Sequence, residues 1–527
     1  MQPLQINKPT WHKNGLCFGM ASAIRLMHLA VMLLSTTLLM ACSDGSDSRS
    51  AVVEPEPPPP PPTYLPISNP QMSTPPDAGN INLLAQNFDL AEVGYQQAEY
   101  FLEGTATAFT NLNELGSDGN WEVEPGEQAP YKIRIVVYRP IDSAVFDGNV
   151  LIEWLNVTAG FETPPSWGTG HLEMRRGGSV WVGVSAQLIG IEGTEQSLLP
   201  LYLKAVNPER YGSLSHPGDS FSYDIFSQVA QAIRNPEGID PMDGLEAERL
   251  IAYGESQSAS RLTTYINAIH PLYNGFDGYM IHSRGDGSSR LSEEPLANID
   301  PPETTLVRTD LNVPVFTFAT ETDVLGFGLY KARQPDTDML RTWEVAGTAH
   351  GDYYTFVTGR DDTVGDPVFA SVVEERSVLG FITCDLPMNN GPQHYVFNRA
   401  VQALNDWVAN GTPPAQSPQL ELNSEGSDFL YDDLGNVRGG IRTPYVDAPS
   451  AILLGEANSG ASFCSLFGTT SLFSAQQMAS LYVDKASFVQ AVTDAANTAV
   501  AADFLLREDA DAITAWAPQQ WNSQMSE

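Results

Sequence analysis

Three side chains able to activate one another occur in the order serine, acid, histidine. Ser256 lies in the segment 254–258, Gly-Glu-Ser-Gln-Ser, which follows an apolar run and precedes a helical one. This is the arrangement of a nucleophile elbow, G-x-S-x-G, in which the serine occupies a tight strand-to-helix turn. Ser258 replaces the second glycine with another small residue. A serine at such a junction also caps helices, so the motif alone leaves that alternative open.

A serine hydroxyl becomes a nucleophile when a general base takes its proton and an acid orients that base. Two later strand-like runs end in suitable groups, the first in Asp323 and the second in His350. Because the carboxyl ends of parallel strands meet at one edge of a sheet, both groups can reach Ser256. We predict that His350 is the base and Asp323 the acid, with Glu321 as the alternative acid.

Acyl transfer also needs hydrogen-bond donors for the oxyanion of its transition state. The backbone N–H of Gln257, directly after the serine, is the first predicted donor. The second is expected from the loop 156–160, where Val157 and Thr158 are the candidates. An ordinary turn capped by Asn156 is the alternative interpretation of this loop.

The elements that must position these residues alternate between short apolar runs and helical segments. Strands are predicted at 133–138, 149–155, 180–185, 250–253, 278–281, 313–318 and 342–346. Helices are predicted at 223–233, 259–269, 367–381, 393–410 and 472–505. Near-continuous apolar runs suit strands that are buried on both faces of a sheet. The alternation therefore predicts an α/β fold with a mostly parallel, doubly wound sheet and extra C-terminal helices.

The first 80 residues are predicted to lie outside this domain, which then covers residues 81–527. Residues 1–41 combine basic residues, an apolar stretch and a small-residue site before Cys42, which is typical of a lipoprotein signal peptide. Residues 42–80 are proline-rich and predict an extended tether. Lipid on Cys42 would attach an exported protein to a membrane, and Ser43 favours the outer membrane of a Gram-negative bacterium. An ordinary secretory signal with an incidental cysteine is the alternative.

The charge, histidine spacing and cysteine content of the sequence limit the ligands and cross-links that we expect. The 527 residues include 27 Lys and Arg against 64 Asp and Glu, a formal net charge of −37. Such an acidic surface repels phosphate backbones, so we expect no nucleic-acid partner. The histidines lack metal-binding spacing, and we expect neither a metal nor another cofactor. Cys17 lies in the signal and Cys42 would be lipidated, so Cys384 and Cys464 are predicted to form a disulfide in an oxidising compartment.

The chain resembles bacterial exported proteins that contain an α/β-hydrolase domain. The resemblance rests on segments 153–157, 181–187, 253–258, 321–324 and 347–352 and on blocks between 390 and 414. It extends over about residues 85 to 500. It implies an α/β-hydrolase fold with Ser256 as the nucleophile and His350 as the base, acting on carboxylic esters. It names no substrate.

The sequence is consistent with two alternative functions, one enzymatic and one of binding. The first is a serine hydrolase that cleaves small-molecule carboxylic esters through an acyl-enzyme intermediate. The second is a lipid-anchored binding module on an inactive hydrolase scaffold, which the fold alone would permit. The complete serine, acid and histidine series favours the enzyme.

Overall fold

A nine-stranded sheet organises the part of the chain that the structure describes. The computed structural model describes residues 64–526 except 196, 198, 379, 381 and 462. The predicted signal peptide, Cys42 and the first part of the tether lie outside the described residues. The nine strands are β1 (Gln71–Ser73), β2 (Tyr95–Asn111), β3 (Val123–Pro140), β4 (Asn149–Trp154), β5 (Val180–Val184), β6 (Arg249–Glu255), β7 (Gly278–His282), β8 (Val315–Thr320) and β9 (Leu340–Val345).

The sheet is mostly parallel, as predicted. Its strand order is β1-β2-β3-β5-β4-β6-β7-β8-β9. The six strands β4 to β9 are parallel to one another, whereas β1, β2 and β3 form an antiparallel edge whose last strand, β3, pairs antiparallel with β5. Only residues 133–138 of the long hairpin β2–β3 were predicted as strand. The rest of this hairpin mixes buried with partly exposed side chains, so it has no continuous apolar run.

Helices cover both faces of the sheet, and two small hairpins lie beyond it. The helices are α1 (Pro165–Arg176), α2 (Leu188–Glu192), α3 (Leu203–Val206), α4 (Pro208–Tyr211), α5 (Ser222–Arg234), α6 (Gln257–Thr264), α7 (His270–Tyr273), α8 (Gln393–Asn410), α9 (Pro444–Asp447), α10 (Ala475–Leu481), α11 (Lys485–Ala501) and α12 (Arg507–Met525). The hairpin strands are β10 (Ser377–Val378), β11 (Ile382–Thr383), β12 (Ala451–Leu454) and β13 (Thr469–Leu472).

Side chains along the parallel strands alternate between two cores. In β4, Ile152 and Trp154 pack in a core that includes residues of α5 and α6. Leu151 packs in the opposite core with residues of α1 and α8. Burial on both faces explains why these strands read as almost uninterrupted apolar runs. The sheet is therefore doubly wound, and its strands are held rigidly enough to position loops at their ends.

Three predicted segments differ from the structure. Residues 71–73, placed in the tether, form β1 and pair with β2, so the folded body begins before residue 81. The neighbouring prolines are tolerated because β1 is a short edge strand. Among the described residues of the predicted helix 367–381, only Pro367–Ala370 are helical, as one 3-10 turn. The predicted helix 472–505 is divided into α10 and α11, because Ser474 and Asp484 each form a capping box.

The predicted disulfide between Cys384 and Cys464 is confirmed. It joins positions 80 residues apart in the region that follows β9. Val378, Met388 and Phe467 pack with the two cysteines in a small apolar cluster. The cross-link therefore ties together two segments whose neighbours line the cavity described below. Among the described helices, none is both long and apolar enough to cross a bilayer.

Candidate active site

Ser256 occupies a strained turn between β6 and α6. Its backbone lies at φ 58° and ψ −117°, a conformation that residues with a side chain rarely adopt. The tight turn requires glycine at position 254, where a Cβ atom would lie 2.7 Å from the carbonyl oxygen of Ser258. The Ser256 N–H donates to the carbonyl oxygen of His282 at the end of β7 (2.9 Å). This local geometry presents the hydroxyl at the carboxyl edge of the sheet.

The structure brings Ser256, His350 and Asp323 into one hydrogen-bonded chain. His350 Nε2 lies 2.8 Å from Ser256 Oγ, and His350 Nδ1 lies 2.6 Å from Asp323 Oδ1. Asp323 follows β8 in a single π turn and is fully buried. Its second oxygen accepts hydrogen bonds from the backbone N–H and the hydroxyl of Thr320 (2.7 and 2.8 Å). Asp323 is thereby fixed in an orientation that holds the imidazole ring toward the serine.

Glu321, the alternative acid, makes different contacts. Its two carboxylate oxygens accept the backbone N–H groups of Gly347 (2.6 Å) and Gly455 (2.7 Å). Burial raises the pKa of Glu321 to about 8, although these two hydrogen bonds act against the shift. Glu321 therefore holds the loop that carries His350, whereas Asp323 contacts the imidazole itself.

A second carboxylate, missed in the sequence analysis, also faces the reactive nitrogen. Glu255 Oε1 lies 3.4 Å from His350 Nε2, and Glu255 Oε2 accepts a hydrogen bond from Asn156 Nδ2 (2.9 Å). Burial raises the pKa of Glu255 to about 7, while the charge of His350 acts against this rise. The position beside Ser256 was visible in the sequence, but the contact depends on the direction of the Glu255 side chain.

The charges around His350 favour its protonated form. Burial alone would lower the pKa of the imidazole, but the charge and hydrogen bond of Asp323 and the charge of Glu255 outweigh it. The pKa of His350 therefore lies above its ordinary value. An imidazolium formed by taking the serine proton would be stabilised in the same way.

Two of the three predicted oxyanion donors have no acceptor within the described part of the chain. They belong to Gln257, the first residue of α6, and to Val157. The N–H of Thr158 instead donates to the carboxamide oxygen of Asn156 (2.8 Å). This bond corrects the prediction for Thr158, because it occupies the donor that an oxyanion would need. Gln257 and Val157 remain the two candidate donors.

An apolar cavity of about 400 Å³ opens onto Ser256 and His350. Its lining includes Leu84, Phe161 and the first residues of α1, and also Ile382 and Phe467 from the two segments joined by the disulfide. The wall that comes from these downstream segments could not be located from sequence periodicity. Among the described residues, no group of three or more His, Cys, Asp and Glu side chains is arranged to hold a metal ion.

A mostly parallel, doubly wound sheet with a serine turn after a central strand defines the class of α/β hydrolases. The sequence matches the family described as an alpha/beta hydrolase domain over residues 67–515. The chain belongs to this family, and the predicted fold is confirmed. No curated protein matches the sequence.

Several solved structures are similar at low sequence identity. An esterase from the fungus Rhizomucor miehei is 14% identical, with 59% of this chain and 86% of that chain covered and a TM-score of 0.29. A serine hydrolase without a lid from Xanthomonas campestris is 14% identical, with 46% and 86% covered and a TM-score of 0.24. A glucuronoyl esterase from Solibacter usitatus is 11% identical, with 54% and 82% covered and a TM-score of 0.27.

The contacts of Asp323 and Glu321 predict opposite effects of two matched amide substitutions. Asp323→Asn should lower kcat by about 10⁴, because the amide no longer holds the reactive tautomer of His350. Glu321→Gln should lower kcat by less than about tenfold and the free energy of unfolding by about 1–3 kcal/mol, because one backbone N–H loses its acceptor. Ester kinetics and urea unfolding of both variants measure these effects. A larger loss of kcat in Glu321→Gln than in Asp323→Asn would mean that Glu321, not Asp323, is the acid that orients His350.

The contact between Glu255 and His350 predicts a pH effect. His350 accepts a proton only when neutral, so activity falls as the pH drops through its pKa. Glu255→Gln removes a charge that raises this pKa, and the acid limb of kcat/KM should move to lower pH. The same substitution at the exposed Glu248 is the control, and it should leave the limb in place. An acid limb that does not move in Glu255→Gln would exclude this electrostatic contribution.

Proposed function

We propose that the protein is a serine hydrolase that cleaves carboxylic esters through an acyl-enzyme intermediate. The observation that carries this proposal is the hydrogen-bonded chain from Asp323 through His350 to the hydroxyl of Ser256. The Ser256 hydroxyl, at the end of this hydrogen-bonded series, faces an apolar cavity. An organic substrate that enters this cavity therefore contacts the hydroxyl directly. Membership of the α/β-hydrolase family supports the same reaction class.

In the first half of the reaction, Ser256 Oγ attacks the acyl carbon of the ester. His350 Nε2 takes the hydroxyl proton as the bond forms, and the carboxylate of Asp323 stabilises the imidazolium. The carbonyl oxygen becomes negative and accepts hydrogen bonds from the N–H groups of Gln257 and Val157. Collapse of the tetrahedral intermediate breaks the bond to the alcohol oxygen, which leaves with the proton from His350.

In the second half, water replaces the alcohol. His350 takes a proton from the water as the oxygen attacks the acyl carbon of the ester to Ser256. The same two N–H groups bind the second oxyanion. Collapse then breaks the bond to Ser256 Oγ, which recovers its proton from His350, and the carboxylic acid leaves. None of these steps requires a cofactor.

The lining of the cavity supports esters over peptides. Binding of a peptide in an extended conformation depends on main-chain hydrogen bonds along a strand edge or groove. Most of the cavity surface here is apolar, with few polar side chains beyond those at the serine. A hydrophobic acyl or alcohol group would gain about 25 cal/mol for each Å² of apolar surface that it buries in such a cavity.

Active-site labelling tests the proposal. A fluorophosphonate probe should modify Ser256, because the phosphorus accepts the same nucleophile as an acyl carbon. Ser256→Ala should abolish labelling and lower the turnover of 4-nitrophenyl esters by at least about 10⁴, with an unchanged circular dichroism spectrum.

Two nearby serines provide matched controls for this test. Ser258 is buried and Ser260 lies one turn along α6, so alanine at either position should leave the labelling of Ser256 in place. Labelling that maps to Ser258 or Ser260 would contradict the assignment of the nucleophile. If no serine is labelled, the binding-module alternative replaces the enzyme.

We also propose that the protein is exported and anchored through lipid on Cys42, in the outer membrane of a Gram-negative bacterium. The signal-like residues before Cys42 support this location. The disulfide between Cys384 and Cys464 supports it independently, because such bonds persist in oxidising compartments. The proline-rich segment that follows Cys42 would then separate the hydrolase from the membrane.

Mass spectrometry of protein extracted from membranes tests the anchor. The mature chain should begin at Cys42 and carry a diacylglyceryl group, and Cys42→Ser should remove both the adduct and the membrane association. An unmodified chain, or one cleaved at another site, would contradict the proposal.

A further inference from the structure

Arg360 lines the same cavity as Ser256 and His350, and no described residue forms a hydrogen bond or ion pair with its guanidinium group. It lies in a 3-10 turn, Gly359–Asp361, and its side chain is partly buried. Its buried Nε atom has no hydrogen-bond partner. Apart from His350, it is the only basic residue among the described residues of the cavity lining.

An unpaired arginine is unusual in this protein. Acidic residues outnumber basic ones by 64 to 27, and most described arginines are paired with carboxylates, as Arg134 is with Glu99. Arginines without a carboxylate still donate hydrogen bonds, as Arg284 does to the carbonyl oxygen of Thr305. Among the described arginines, Arg360 alone has a guanidinium group without a hydrogen bond, an ion pair or an aromatic partner. Its charge is therefore available to a ligand.

The acidic residues beside Arg360 already have other partners. Asp361 accepts a hydrogen bond from the side chain of Asn87 (2.9 Å). Asp362 accepts the Tyr354 hydroxyl (3.0 Å) and, with its other oxygen, the N–H of Gly365 (2.7 Å). The turn is also fixed, since the carbonyl oxygen of Arg360 accepts the N–H of Asn87 (2.8 Å). The guanidinium is thus held at the cavity without a counter-ion from its own segment.

We propose that Arg360 binds a carboxylate of the substrate, and that the preferred substrates are apolar esters bearing one carboxylate away from the scissile bond. This inference rests on the proposed esterase function and names its substrate class. A guanidinium donates two parallel hydrogen bonds to a carboxylate, and an apolar surrounding strengthens that pairing. Because the described cavity lining has no second arginine or lysine beside Arg360, the site matches a ligand group that carries a single negative charge.

The carboxylate of Glu255 supports this direction of binding. Glu255 lies beside the reactive nitrogen of His350, so a negative charge close to Ser256 would be repelled. A carboxylate on the substrate is therefore directed away from Ser256 and toward Arg360. The mostly apolar lining of the cavity suits a hydrocarbon chain or ring in the rest of the substrate.

A kinetic comparison of charged and neutral esters tests the inference. The probes are 4-nitrophenyl half-esters of dicarboxylic acids, from four to ten carbons, each compared with the methyl-capped diester of the same length. A second pair, 4-acetoxybenzoate and its methyl ester, places the charge on the alcohol side. The protein should prefer the charged member of at least one pair, and Arg360→Gln should lower the charged-to-neutral ratio of kcat/KM by roughly 10- to 100-fold.

The charged-to-neutral ratio of kcat/KM reports recognition of the substrate charge alone. General damage to the site would lower kcat/KM for both members of a pair and leave the ratio unchanged. Arg360→Lys should retain part of the preference as a point charge. Arg507→Gln, at an exposed position on α12, is the matched control and should leave the ratio unchanged. A ratio that Arg360→Gln does not change, or a preference for neutral esters throughout, would overturn the inference.

A binding measurement keeps this test independent of turnover. Calorimetry on Ser256→Ala should show the monomethyl ester of octanedioic acid binding roughly 10- to 100-fold more weakly when Arg360→Gln is added. The dimethyl ester should show no comparable loss. Equal binding of the half-ester to both proteins would refute the role of Arg360 even if ester hydrolysis is established. Conversely, loss of binding with Arg360→Gln in a protein that hydrolyses no ester would refute only the proposed reaction.

Discussion

The turn at Ser256 is the constraint on which the rest of the site depends. A non-glycine residue held at φ 58° and ψ −117° costs about 1–3 kcal/mol, and it persists only where the surroundings determine it. Here β6 is flanked by β4 and β7 within the parallel part of the sheet, and the Ser256 N–H is bonded to the end of β7. The turn cannot relax without disturbing these strands, so the hydroxyl stays at the edge where β8 and β9 also end.

Buried carboxylates hold the loops that surround this hydroxyl. Glu153 accepts the first N–H groups of α1 at Ser166 and Trp167, and Glu321 accepts two N–H groups from loops near His350. Burying a charge is costly unless donors compensate it, which is why burial raises the pKa of Glu153 and of Glu321 to about 8. The charges of Asp323 and Glu255, not those of Glu153 and Glu321, favour the protonated form of His350. Arg360, whose guanidinium has no partner among the described residues, is the natural place for an anion in this cavity.

The site residues that could be predicted from the sequence were those identified by a short sequence motif or by residue type alone. The turn at Ser256 follows from small residues at fixed spacing between an apolar and a helical run, and the paired cysteines follow from elimination. The division between α10 and α11 was readable too, since Ser474 and Asp484 begin capping patterns, but alanine-rich spacing outweighed it. The contact of Glu255 with His350 and the bond that occupies the Thr158 N–H were not readable. Both depend on side-chain directions that only the packed loops determine.

The most direct measurement is the mass of the protein during turnover. If Ser256 is the nucleophile, rapid acid quenching of a reaction with a 4-nitrophenyl ester traps one acyl group per chain. Peptide mapping then places this group on Ser256, and the adduct accumulates when Asp323→Asn slows its hydrolysis more than its formation. An acyl group on another residue, or release of nitrophenol with no acyl adduct in either protein, would contradict the acyl-enzyme mechanism.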